Sequence, residues 1–235
     1  MIIEGLLLAL VAGIAIPIGA VLSHVHIFRE SWKDEVLRHT VIGFGAGALL
    51  AAVAFVLLID GAEKQPHWLV LMTFFLGGVV FMGVDIVLRR SGGRMATFIA
   101  MLMDYVPEVI VLGAVVSGGD MAQATFLALI IAAQNMPEGY ASYLEMTEDG
   151  RHKKRVLGLF IAMAFIGPVF SMLGTQVFAG ADMALGVIMT FSAGGIMYLV
   201  FQDIAPRVTY DKSWLPPMGT IIGFMIGLGG YLYIH

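Results

Sequence analysis

Eight apolar stretches, at residues 2–22, 39–60, 67–88, 95–117, 121–144, 155–178, 184–205 and 217–234, take up most of this 235-residue chain. A helix needs about 20 apolar residues to cross the roughly 30 Å hydrocarbon layer of a bilayer, and each stretch has about that length. The segments between them are short and neither Ser/Pro-rich nor of low complexity, which leaves no room for a separate soluble domain. Charged residues make up 13% of the chain, about half of what an ordinary soluble domain carries and too few to cover a soluble surface of this size. A soluble enzyme and a disordered chain are excluded on that ground. A nucleic-acid binder is excluded by the net charge of -4 and the lack of a basic patch. The expectation is an all-α membrane protein with eight transmembrane helices in one domain, residues 1–235.

There is no cysteine, so disulfides and thiolate metal ligands do not enter. No Lys or Arg precedes the first apolar run after Met1, Ile2, Ile3 and Glu4, so that run reads as a retained helix rather than a signal peptide. Gly43, Gly45 and Gly47 in the second stretch permit the close backbone approach by which helices associate in lipid.

The basic residues set an orientation. Arg29, Lys33 and Arg38 follow the first stretch, and Arg89, Arg90 and Arg94 follow the third. Arg151, Lys153, Lys154 and Arg155 follow the fifth, and Arg207 and Lys212 the seventh. These are twelve of the thirteen Lys and Arg; only Lys64 lies on the other side. The positive-inside rule then makes those loops cytoplasmic and puts both termini outside, and a wrong number of spans would scramble the split. The opposite side carries Asp60, Glu63, Asp120 and Asp182, which read as solvated helix ends or as a weak attraction for cations.

Charges at mid-membrane are costly and mark functional positions. The fourth stretch holds Asp104, Tyr105, Val106, Pro107 and Glu108; the fifth holds Gln134, Asn135, Met136, Pro137, Glu138 and Gly139. Both repeat one pattern, a ligand-type residue, two others, then Pro-Glu. The spacing of four puts Asp104 with Glu108, and Gln134 with Glu138, on one helix face. Asp104 lies about nine residues inside its helix, or about 14 Å, close to the middle of the hydrocarbon layer. A short connection makes the two helices an antiparallel hairpin, so the four groups can converge. Each Pro removes a helical hydrogen bond one residue before its Glu and frees backbone carbonyls as further oxygen ligands.

Three carboxyl groups cannot all be ionised in a low dielectric without a counter-charge, and no Lys or Arg lies in an apolar core to supply it. A bound divalent cation supplies it. The alternative, protonated acids acting as packing groups, suits a single buried Glu better than two Pro-Glu motifs on neighbouring helices. Asp85 and Asp203, near the cytoplasmic helix ends, read as helix-end residues or as part of an exit path. Met101, Met103, Met136 and Met146 read as packing more readily than as soft ligands. His24 and His26 stand where they could receive an ion or simply face water. No His-Glu-x-x-His and no Gly-x-Ser-x-Gly is present, which speaks against an intramembrane enzyme.

These residues resemble the ZIP (Zrt/Irt-like) divalent-metal transporters, and among them the compact prokaryotic GufA-like group. The resemblance runs through Gly43 to Ala52 in the second stretch and Gln134 to Gly139 in the fifth, its most specific part. It continues in the seventh with Ser192, Ala193, Gly194 and Gly195 and then Gln202 to Pro206. It implies a cation-uptake permease of the cell (inner) membrane with zinc, iron, manganese or cadmium as substrate and no organic cofactor. It implies membrane lipid as surroundings, no nucleic-acid partner, and it admits a homodimer. Carried over residue by residue, the metal ligands are Asp104, Glu108, Gln134 and Glu138, with Asn135 as a further contributor. The lack of a His-rich cytoplasmic loop points to a prokaryotic origin.

Three positions depart from the family pattern. Asp104 stands where the family has His, Tyr105 where it has Asn at a second metal, and Gly167 where Glu often precedes Pro168. The resemblance therefore implies one metal site, not two, and an all-oxygen site suits harder ions such as Mn²⁺ better than a His-containing one. It also leaves open a metal-binding relative that no longer transports and serves as sensor or scaffold.

Overall fold

A computed structural model describes residues 2–24, 31–91, 94–147, 152–178 and 180–234; His26, Arg29 and Arg151 lie outside them. Among the described residues there is no strand, only an isolated bridge between Tyr210 and Ser213, and eight long helices. They are α1 (Ile2–Leu22), α2 (Ser31–Ala52), α3 (His67–Ser91), α4 (Arg94–Gly118), α5 (Met121–Met146), α6 (Lys153–Val177), α7 (Asp182–Leu199) and α8 (Pro216–Ile234). α2 continues through π-helical Val53–Leu58 into Ile59–Glu63, and α7 through π-helical Val200–Ile204 into Ala205–Val208. α2 begins eight residues ahead of its apolar stretch, because polar residues from Ser31 to Arg38 can extend a helix into water. The turn from α4 to α5 is made by Gly119, at φ 87, and Asp120, whose side chain caps α5 by accepting from the Gln123 amide at 2.9 Å.

Seven of the eight helices are long and apolar enough to cross a membrane. α5 is not, although its 26 residues give it ample length. Gln134, Asn135 and Glu138 dilute its apolar character, and the fold answers by surrounding it with α1, α2 and α4. Gln134 and Asn135 are fully buried, so protein rather than lipid meets them. α3 and α8 take the opposite role. Only 17% of the apolar span of each is buried, against 61–67% in α2, α4 and α7, so these two present large apolar faces outward.

Lipid removes the hydrophobic incentive for one apolar helix to pack on another, and close backbone contact takes its place. Here that contact falls into four reciprocal pairs. A Cβ on Gly19 of α1 would stand 2.0 Å from the Met136 carbonyl of α5, and one on Gly139 would stand 2.3 Å from the Ile16 carbonyl of α1. Gly47 and Gly223 join α2 to α8 in the same way, against the carbonyls of Thr220 and Phe44, each at 2.0 Å. Gly77 and Gly194 join α3 to α7, and Gly113 and Gly174 join α4 to α6, with each added Cβ within 2.0 Å of a carbonyl. In every pair each glycine faces the carbonyl three residues before its partner glycine, the arrangement that brings Cα–H groups onto carbonyl oxygens. α2 and α8 repeat it one turn away through Gly43 and Gly219, which shows these two helices to be parallel.

The pairs assemble into two sets. α1, α4, α5 and α6 pack on one another, while α8 lies on α2, the continuation of α2 on α7, and α7 on α3; the sets meet where α2 lies on α5 and α7 on α4. Filling a glycine crossing should therefore split a pair. We expect Gly194→Ala, whose Cβ would sit 1.9 Å from the Phe74 carbonyl, to destabilise the detergent-solubilised protein by about 1–3 kcal/mol in thermal unfolding. Gly83→Ala and Gly158→Ala, which have open space around them, should leave the melting temperature unchanged.

Candidate metal centre

α4 and α5 bring Asp104, Glu108, Gln134 and Glu138 together at the junction of the two helix sets. Both helices pass unbroken through their prolines, Pro107 and Pro137. The missing amides leave the carbonyls four residues earlier, those of Met103 and Ala133, without their helical donors, and these are the residues just before Asp104 and Gln134. Asp104, Glu108 and Gln134 are buried, while Glu138 is half-buried. Asp104 is close enough to Glu108 and to Glu138 for its charge to act on both. The Gln134 amide nitrogen donates to Oε1 of Glu108 and ties α5 to α4.

The site is rich in acceptors and poor in donors. Among the described residues, six buried side-chain atoms lack a hydrogen-bond partner. Four of the six are oxygens of the residues picked out by sequence: Asp104 Oδ1, Glu108 Oε2, Gln134 Oε1 and Asn135 Oδ1. A buried oxygen without a partner costs on the order of 1–3 kcal/mol, and more when charged. A cation satisfies such oxygens without needing a donor hydrogen. No three Asp, Glu or His side chains among the described residues are gathered closely enough to hold an ion as they stand. Closing round one therefore requires the acids to move inward together.

Asp104, Gln134 and Glu138 line the inner end of a cavity of about 220 Å³, wide enough for an ion with several waters. Gly45, Leu49, Met101 and Pro137 complete that end. The lining residues exposed to solvent, Arg89, Glu145 and Arg207, mark where it opens, at the end where the basic residues collect. Toward the opposite end, Leu112 and Val116 of α4 and Leu127 and Ile131 of α5 are apolar and each at most 1% exposed. The cavity thus opens at the end of the bundle where the basic residues collect. Of the methionines near the site, Met101 lines the cavity, while Met146 is buried in the apolar core.

Asn135 faces elsewhere. Its Nδ2 donates to the Ala12 carbonyl at 3.0 Å, which ties α5 to α1, and its side chain does not line the cavity. Two residues noted for departing from the resembled pattern prove to be in contact. The Tyr105 phenol lies in a notch between Gly13 and Gly167, donating to the Ala9 carbonyl at 3.3 Å. A Cβ at Gly167 would come within 1.9 Å of its oxygen, and one at Gly13 within 2.4 Å. A tyrosine at 105 thus requires the glycine at 167, a dependence that sequence spacing cannot show because 62 positions separate them.

No protein-family model matches the chain, and no curated protein matches it.

The notch gives a direct test. Gly167→Ala should destabilise by about 1–3 kcal/mol in the wild-type background. In a Tyr105→Phe background it should cost about 1 kcal/mol less, since the clashing oxygen is gone. Equal costs in both backgrounds, read by thermal unfolding, would show that Tyr105 does not fill the notch.

Proposed function

We propose that this chain is a ZIP-type transporter of divalent cations, moving the ion through the carboxylate site between α4 and α5. The observation that carries the reading is the set of buried, partnerless oxygens on Asp104, Glu108 and Gln134 at the closed end of a cavity open to water. Three acids and an amide give an acceptor surplus and a charge surplus together. Water relieves the first; a divalent cation relieves both and brings three carboxylates to about -1. Asp104, Glu108, Gln134 and Glu138 are the ligands in this reading. Asn135 is a positioning residue, holding α5 on α1.

The orientation follows the positive-inside rule. It puts the basic ends and the cavity mouth in the cytoplasm, both termini outside and α5 across the membrane as an eighth span. The conformation described is then the inward-facing one, sealed outside by the apolar side chains beyond Glu108. Uptake requires a second state in which the set carrying the site has moved against the set of α2, α3, α7 and α8. The oxygen-only ligands admit Zn²⁺ and Fe²⁺, the substrates the resemblance implies, and suit Mn²⁺ in addition. Tyr105 stands where the resemblance puts an Asn ligand of a second metal, so this reading has one ion per chain.

Cation flux into proteoliposomes tests this, with Zn²⁺, Fe²⁺, Mn²⁺ and Cd²⁺ compared. Flux is expected in the wild type, and Glu138→Ala should lower it about tenfold or more, since even partners one shell removed from a metal are worth that much. Asp104→His should shift the ranking toward Zn²⁺. A folded protein that binds one ion per chain and passes none would instead be a sensor or scaffold, and two tightly bound ions would overturn the single-site assignment.

A further inference from the structure

The mouth of the cavity holds a second charged group that the carboxylate site does not account for. Arg89, in the last turn of α3, donates through Nε to both carboxylate oxygens of Asp85, each at 2.9 Å, and through an Nη to Asp203 in the π-helical part of α7. Tyr198 donates to Asp85 Oδ2 at 3.0 Å, so the carboxylate is fixed from α7 as well. Asp85 is buried, whereas the Arg89 side chain is 51% exposed. Beside it, Arg207 of α7 donates to Glu145 of α5 at 2.8 Å, between side chains 45% and 41% exposed. Asp85, Arg89, Glu145, Asp203 and Arg207 all line the cavity that ends at Asp104 and Glu138.

Two acids facing a cation path attract cations, and two arginines beside them repel cations. Arg89 sits between Asp85 and Asp203 and occupies both. A half-exposed guanidinium pair is weak and screened by salt, so it is a contact that another cation can displace. We propose that Arg89 is a tethered counter-cation at the mouth of this cavity, closing Asp85 and Asp203 to mobile cations until its side chain swings out into water. The inference takes its functional meaning from the transport reading: Arg89 would set how readily an ion passes between the carboxylate site and the basic end of the bundle. Its test does not depend on transport.

The lack of native cysteine allows one reporter to be placed cleanly. Ser142 is buried, lines the cavity and lies one turn beyond Glu138, between the acids and the mouth. In solubilised Ser142→Cys protein, the labelling rates of a trimethylammonium and a sulfonate methanethiosulfonate would be compared. Arg89→Gln should raise the cation-to-anion rate ratio about three- to tenfold at low salt, and less at high salt, as removal of one nearby charge requires. Asp203→Asn removes an acid, leaves Arg89 in place, and should lower the ratio, so the second variant decides the matter if the first does not fold. The proposal is overturned by a ratio that neither variant moves, by both reagents speeding up equally in Arg89→Gln, or by a reporter thiol that neither reagent reaches. Absence of flux in proteoliposomes would overturn the transport reading alone and leave the labelling result standing.

Discussion

In hydrocarbon an apolar helix gains nothing by hiding apolar surface, so what fixes one helix on another is backbone contact at small residues, and here every long helix has one such contact. The crossings at Gly19 with Gly139, Gly47 with Gly223, Gly77 with Gly194 and Gly113 with Gly174 leave no room for even a methyl group. Because the fit is to carbonyl oxygens rather than to movable side chains, register and separation are set together. Gly139 directly follows Glu138, so the crossing that seats α5 on α1 also sets the height of that carboxyl group in the bundle. The contact of Gly45 with Pro137, where an added Cβ would stand 2.8 Å from the proline ring, holds α2 against the same turn. The site is thus pinned from two sides.

That division explains how so polar a helix is carried. α5 cannot rely on its own apolar character, and its Gln134 and Asn135 are spent on its neighbours, one on Glu108 and the other on the Ala12 carbonyl. Each amide uses its donor end to hold two helices together and leaves its oxygen bare. The surplus of bare oxygens is therefore not a packing accident confined to one residue. It follows from amides turned donor-first toward α1 and α4, and it leaves the interior with acceptors that the surrounding side chains do not satisfy.

Much of this was legible in the sequence, because in a membrane the apolar runs, the misplaced acids and the glycines each answer to a strong constraint. All eight runs are helical, and Asp104, Gln134 and Glu138 share one cavity with Glu108 bonded to Gln134. What was not legible depends on side-chain direction between helices distant in sequence. Asn135 entered as a further contributor through the resemblance, yet neighbours on a helix point about 100° apart, and its amide nitrogen reaches α1. The short connection made α4 and α5 an antiparallel hairpin but left open whether each packs most closely on the other. Their reciprocal glycines give them to α6 and α1 instead, and the pairing of glycines cannot be read without knowing which helices are adjacent. Tyr105 and Gly167 were visible separately as departures, but their contact was not. The π-helical turn that carries Asp203 leaves no sequence signal at all.

The two ends of the cavity differ in kind, and that difference bears on how an ion could leave. At its closed end the acids are buried, lack enough donors, and face leucine, isoleucine and valine beyond Glu108. At its open end each acid has an arginine, and the arginines are in water. On the transport reading, a cation would be held strongly only where no protein charge competes for the carboxylates, and it would meet better-compensated acids along the way out. A path built in the reverse order, with bare acids at the mouth and paired acids inside, would trap ions at the rim. On the transport reading, the gradient from unpaired to paired carboxylates is what would let a deep site both bind a divalent ion and release it toward one face.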